Sequence, residues 1–291
     1  MQVDPALRSL LVAFEDGDAF DVARARAGLD SFAAAVATPG SSSGAEDGEV
    51  LGVPVRRYSP QEPGRGPALV WFHGGGWVTG SLAAVDPLCR AVLSRTGAPV
   101  TSVAYRLAPE HPFPAALEDC VAVLRALAAQ GPVAVGGDSA GAGLAAAACL
   151  VLRGEGLPVL AQLLVNPLVD ATLSCPSVHE LACGYGLTRT ALEHFVGLYL
   201  DGADPHDPRC SPLLADDLSG LPPAVVVTAE CDPLRDEGEA YAARLRAAGV
   251  PVALRRYDGM VHGFVGMTAL TPLADETLDW MVAALVEHTS G

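Results

Sequence analysis

Hydrophobic positions along this chain fall into two alternating textures. From Val50 onward, short apolar runs rich in valine and leucine are separated by stretches in which apolar residues recur at helical spacing. The runs at 53–58, 68–72, 100–105, 133–135, 160–165, 224–228 and 252–256 predict strands. Helices are predicted between most of them, for example at 115–129 and 140–153. That alternation is the pattern of βαβ units, so an α/β fold with a mostly parallel sheet is expected. Ahead of it, residues 5–36 read as helical, with Leu7, Leu10, Leu11 and Phe14 on one face. Asp16-Gly17-Asp18 breaks that helix, and a second one runs from about residue 20 to 36. Thr38-Pro39-Gly40-Ser41-Ser42-Ser43-Gly44 then reads as a flexible linker.

One long stretch breaks the rhythm, between the strand that ends near Asn166 and the strand that starts at Ala224. Residues 188–200 within it look helical. An insertion here, together with the N-terminal helices, would form a cap over one edge of the sheet. The expected division is a helical segment at 1–45 and an α/β body at 46–291, with the insertion at about 170–210. With 291 residues, length alone is equally compatible with one large domain or two modest ones. Half of the residues are hydrophobic, only 5% are aromatic, and alanine dominates. This favours closely packed helices around a Val/Leu-rich sheet over an aromatic-rich sandwich.

Charge narrows the partners. The formal net charge is −16, and with no lysine in the chain every formal positive charge is an arginine. Such a surface repels phosphate backbones and anionic headgroups, which argues against nucleic acid and membrane surfaces. The opening MQVDPALRSL lacks the basic patch and apolar core of a signal peptide, and no apolar run is long enough to span a bilayer. A soluble, cytoplasmic protein is expected, with a homodimer left open. The cysteines at 89, 120, 149, 175, 183, 210 and 231 form no Cys-x-x-Cys pair and no zinc-like cluster, so no metal site is expected. They read as reduced, mostly buried small hydrophobes.

Gly137-Asp138-Ser139-Ala140-Gly141 matches G-x-S-x-G, a weak signal in a chain with 31 glycines. Its context strengthens it: a short apolar strand precedes and an alanine-rich helix follows. Strand, sharp turn and helix with serine at the apex make a nucleophile elbow, and the glycines permit the turn. His73-Gly74-Gly75-Gly76-Trp77 follows directly on the strand at 68–72. Three glycines there let backbone amides face a cavity, where they could bind an oxyanion together with the amide of Ala140. A phosphate-binding loop is the rival reading, but the chain has no lysine and no G-x-x-x-x-G-K-[ST]. A serine needs a base, and the base needs an orienting acid. His262 lies just past the last strand, where a loop would emerge at the sheet's active edge. Asp232 is the first aspartate after the strand at 224–228, with Pro233 suited to a first helical turn. Asp236 and Glu237 fall one turn further on and read as surface charge.

At this point the sequence resembles the bacterial hormone-sensitive-lipase-like (family IV) carboxylesterases. The resemblance rests on His73-Gly74-Gly75-Gly76-Trp77, Tyr105-Arg106-Leu107-Ala108-Pro109-Glu110, Gly137-Asp138-Ser139-Ala140-Gly141, Asp232-Pro233-Leu234-Arg235-Asp236-Glu237 and His262-Gly263-Phe264. It implies an α/β-hydrolase with a mostly parallel eight-stranded sheet, flanking helices and a helical cap built from the N-terminal helices and the insertion after the sixth strand. It assigns nucleophile, acid and base to Ser139, Asp232 and His262. The oxyanion donors would be Ala140 and two of Gly74, Gly75 and Gly76. The N-terminal segment is short for the family, and the insertion carries cysteines. The implied activity is hydrolysis of short- to medium-chain esters through an acyl-enzyme, with no metal or organic cofactor. Trp77, Tyr185 and Phe195 would line the substrate pocket, though core packing accounts for each equally well. Amide, lactone or carbamate substrates, acyl transfer to another alcohol, and a non-catalytic small-molecule receptor on the same fold are the alternatives.

Overall fold

The computed structural model describes residues 2–11, 21–38, 44–62, 64 and 66–289. Its strands are β1 (Ala45–Val50), β2 (Val53–Tyr58), β3 (Ala68–Phe72), β4 (Val100–Val103), β5 (Val133–Asp138), β6 (Val159–Val165), β7 (Ala224–Cys231) and β8 (Val252–Val261). They form one eight-stranded sheet in the order β1-β2-β4-β3-β5-β6-β7-β8. Pairing is antiparallel for β1 with β2 and for β2 with β4, and parallel from β4 to β8. The helices are α1 (Arg8–Leu11), α2 (Val22–Val36), α3 (Leu82–Thr96), α4 (Ala115–Ala128), α5 (Ala140–Leu152), α6 (Pro176–Glu180), α7 (Arg189–Leu200), α8 (Arg235–Ala247) and α9 (Pro272–Thr289).

Successive side chains of a strand point to opposite faces, and the sheet is apolar on both. In β3, Val70 and Phe72 join a core layer with residues of α4, α5 and α8. Leu69 and Trp71 face the other way, into a layer with residues of α3 and α9. β7 alternates likewise, with Val226 in the first layer and Val225 and Val227 in the second. Helix α5 is buried along almost its whole length. Its alanines and glycines let it lie against β5 and β6, and this fixes where its first residue stands.

The strands lie where the apolar runs predicted them, with informative differences at the ends. β4 stops at Val103, while β5, β7 and β8 run on to Asp138, Cys231 and Val261. Those extensions hold glycine and polar residues that resemble turn sequence, yet the ladder carries them: Gly137 pairs with Leu164 and Asp138 with Val165. Strand β1 was not predicted, because AEDGEV holds a single buried residue, Val50. Acidic side chains on such a sheet edge discourage pairing with another chain. Leu7 is fully buried and Leu11 packs on the second core layer. Phe14, the Asp16-Gly17-Asp18 break and most of the expected linker lie outside the described residues. Asp21 caps α2 by accepting from the Arg24 amide at 2.8 Å. The stretch between β6 and β7 holds α6 and α7, the second capped by Thr188. Among the described residues, no helix is long and apolar enough to cross a membrane, and no cluster of His, Cys, Asp and Glu could hold a metal ion. All seven cysteines are free; Cys175 is half-buried, Cys183 is exposed and the others are buried.

Candidate active site

Three strands deliver the predicted residues to one edge of the sheet. β5 ends at Asp138, and Ser139 follows with φ 54° and ψ −122°. Its amide donates to the Val165 carbonyl at 2.8 Å, and its own carbonyl accepts from the amides of Gly143 and Leu168. Gly141 sits so close to β3 that a Cβ there would stand 2.0 Å from the Phe72 carbonyl oxygen. Only glycine allows α5 to begin at that point, and the close approach swings Ser139 out at the apex of the turn.

β7 ends at Cys231 and β8 at Val261, so Asp232 and His262 are each the first residue past a strand. Asp232 is fully buried. Its Oδ1 accepts from the Leu234 amide at 2.9 Å, and its Oδ2 from Asn166 Nδ2 at 2.9 Å. Oδ2 also receives the His262 Nδ1–H at 2.8 Å. With that proton committed to the carboxylate, His262 Nε2 is the acceptor, and the Ser139 hydroxyl reaches it at 3.0 Å. All of these lie within ordinary hydrogen-bond range. Burial disfavours a charged His262 ring, but the charge and hydrogen bond of Asp232 and the charge of Asp138 outweigh it. The His262 pKa is therefore raised above that of an ordinary imidazole.

The glycine loop leaves β3 through His73. That ring is buried, stacked on Tyr105 with centroids 4.3 Å apart, and donates from Nδ1 to the Gly74 carbonyl at 2.8 Å. The Tyr105 hydroxyl donates to the His73 carbonyl at 2.7 Å. Burial pushes the His73 pKa down to about 4, so the ring is neutral near pH 7. Of the three glycine amides, that of Gly74 is occupied: it donates to Asp138 Oδ2 at 3.0 Å. The amides of Gly75, Gly76 and Ala140 make no hydrogen bond with the described residues. Of the three loop glycines, Gly75 and Gly76 thus keep their amides uncommitted to the described residues, as does Ala140.

The three pocket candidates separate. Trp77 is buried and stacked on Tyr199, with centroids 4.2 Å apart and planes 11° apart, which is core packing. Tyr185 is half-buried against the core layer that holds Leu69 and Trp71. Phe195, on α7, lies directly against Gly76. A separate open cleft of about 330 Å³, lined by Arg26, Leu107, Glu110 and His111, shares no residue with this site.

Sequence reasoning assigned nothing to Asp138 or Asn166, and it placed Glu237 wrongly. Glu237 is not surface charge but fully buried, with Oε1 accepting the amides of Val169 at 2.7 Å and Asp170 at 3.1 Å. Those amides belong to the chain just beyond β6, where no strand ladder serves them, and the carboxyl takes that place. Burial above all, with the charges of Asp170 and Asp232, drives its pKa well above the carboxylate range. Arg26 of α2 was missed as well. It donates to the carbonyls of Val78 at 2.9 Å and Ala108 at 3.0 Å and pairs with Glu110, which ties α2 to the chain on either side of α3. No spacing in the sequence signals these contacts, because the partners are distant along the chain.

Residues 69–266 match a family described as having the alpha/beta hydrolase fold. The chain is 43% identical over 255 residues to the carboxylic ester hydrolase LipN of Mycobacterium tuberculosis, covering 82% of this chain and 68% of that protein. It is 40% identical to the carboxylesterase NlhH of the same organism, covering 97% and 95%. Among solved structures it is similar to the ester-hydrolase EH1AB1 from the metagenome of Lake Arreo, with a TM-score of 0.92, 34% identity and full coverage of both chains.

Proposed function

Since the chain belongs to the α/β-hydrolase fold family, in its hormone-sensitive-lipase-like carboxylesterase branch, we propose that it is a serine carboxylesterase acting on short- to medium-chain esters, with Ser139 as nucleophile, His262 as base and Asp232 as the orienting acid. The observation that carries this is the unbroken relay from Ser139 Oγ through the His262 ring to Asp232 Oδ2. His262 takes the Ser139 proton as Oγ attacks the ester carbonyl, and the resulting oxyanion accepts from the amides of Ala140, Gly75 and Gly76. Collapse expels the alcohol, which takes the proton back from His262. Water, deprotonated by His262, then attacks the acyl-enzyme and releases the acid and Ser139. Neither step calls for a metal or an organic cofactor.

In this reading the N-terminal segment and the insertion after β6 form a cap above the site. Two contacts support it: Arg26 reaches the Val78 carbonyl, and Phe195 lies on Gly76. Phe195 is then a cap side chain lying on the glycine loop. Seven free cysteines accord with the reducing environment of the cytoplasm.

The test is burst and steady-state hydrolysis of p-nitrophenyl acetate, butyrate and octanoate by wild type and Ser139→Ala. The wild type should turn over the shorter esters, and Ser139→Ala should lose about 10⁴-fold or more in kcat. A wild type inert on every ester and toward a fluorophosphonate would overturn the reading in favour of a binding protein.

A further inference from the structure

Asp138, the residue before Ser139, has no part in the relay just described. It is the last residue of β5, paired with Val165 of β6, and it is half-buried. Two N–H groups converge on its carboxylate from the neighbouring strand and loop. The Trp71 indole, fully buried in β3, donates to Oδ1 at 3.1 Å, and the Gly74 amide donates to Oδ2 at 3.0 Å. A Cβ on Gly74 would lie 2.3 Å from Oδ2, so the loop backbone is drawn right onto the carboxylate. One side chain therefore grips both the end of β3 and the first glycine of the loop, while its own backbone leads directly into Ser139.

We propose that Asp138 is a positioning residue for ester hydrolysis: it takes the Gly74 amide out of service and holds the loop so that Gly75 and Gly76 present theirs to the oxyanion. The inference rests on the esterase reading for its reaction, but its geometry stands apart from it. A carboxylate suits the place because both partners are donors, and a carboxylate offers acceptors only. An asparagine of the same shape could serve one N–H with its oxygen and would turn its own NH₂ against the other. The carboxylate also acts at a distance, since its charge helps to hold the proton on His262.

Burial raises the Asp138 pKa to about 6, against the opposing pull of the Trp71 bond, the His262 charge and the Gly74 amide. The titratable groups that feel it are His262 after β8, Cys89 on α3 and Tyr105 after β4. Burial pushes Cys89 and Tyr105 upward, so both are neutral around pH 7 and His262 is the neighbour that titrates with it.

The experiment compares wild type with Asp138→Asn in four readouts. With p-nitrophenyl butyrate, kcat should fall by about 10- to 100-fold while KM stays within about twofold, because the loss falls on the oxyanion and not on ground-state binding. Affinity for a trifluoromethyl ketone, whose adduct carries the same negative oxygen, should fall in step with kcat. By NMR, the His262 ring should titrate at lower pH in the variant, and the Gly74 amide should exchange faster. In the wild type alone, the Gly74 amide shift should follow the Asp138 carboxyl resonance as it titrates, which tests the contact even if the variant does not fold. A Gly74 amide indifferent to Asp138, a higher KM at unchanged kcat, or a loss of activity that only follows a lower melting temperature would each overturn the proposal. The NMR readouts need no turnover, so a wild type inert on esters would sink the esterase reading while this inference is still decided.

Discussion

At the end of β5 the chain is steered by missing side chains, whereas at the end of β7 it is steered by buried carboxylates. Gly141 lets the first turn of α5 press on the Phe72 carbonyl, and Ser139 is thrust out by that contact. Among the described residues, no side-chain bond other than the one to His262 holds it. Beyond β7 the route is ordinary, and polar groups fix it instead. Asp232 accepts from Leu234, Asn166 and His262, and Glu237 accepts the two amides just past β6. Ser139 is thus placed by backbone sterics and Asp232 by a buried hydrogen-bond framework. The first device tolerates no added atom, and the second tolerates no lost acceptor.

Removing an acceptor at the β7 end tests that contrast most severely. In Asp232→Asn, the amide NH₂ can face Nδ1, so the ring is held in the wrong tautomer for attack by Ser139. Initial rates with p-nitrophenyl butyrate should show kcat lower by about 10⁴-fold with the fold intact. The rate–pH profile carries the sign. Only the neutral ring is a base, so wild-type turnover rises as pH climbs through the raised His262 pKa. Loss of the Asp232 charge should move that limb to lower pH. A deficit under about tenfold would mean that the acid is dispensable and the two strand ends are not equal partners.

Glu237 sharpens the same point in stability. Glu237→Leu strips the acceptor from two buried amides and should cost about 3 kcal/mol in chemical denaturation. Glu237→Gln keeps that oxygen and replaces a carboxyl whose charged form burial disfavours, so it should cost less than about 1 kcal/mol. Equal damage by both would mean that a charge, not an acceptor, is needed there.

The contrast also explains how much of the molecule is legible in the sequence. A demand for no side chain is written locally, as glycine beside serine or after a strand, and so the elbow and the glycine loop stand out. The apolar runs locate the strands because burial on both faces demands them. A demand for an acceptor is written far away. Glu237 and Val169 are 68 residues apart, and Asn166 and Asp232 are 66 apart. No local pattern joins such pairs, so Glu237 reads as one more acid on a helix and Asn166 as the end of a strand. Strand β1 is hidden for the opposite reason, being an edge with almost nothing to bury.

The backbone angles of Ser139 have a thermodynamic consequence. At φ 54° and ψ −122° an L-residue is strained, at a typical cost of about 1–3 kcal/mol that the rest of the fold must absorb. Glycine carries no such penalty, although it adds freedom to the unfolded chain. Ser139→Gly should therefore be inert yet melt higher than the wild type, by up to about 1 kcal/mol in stability. The sturdiest version of this chain would then be one that cannot work, with heat tolerance and reactivity competing for a single residue.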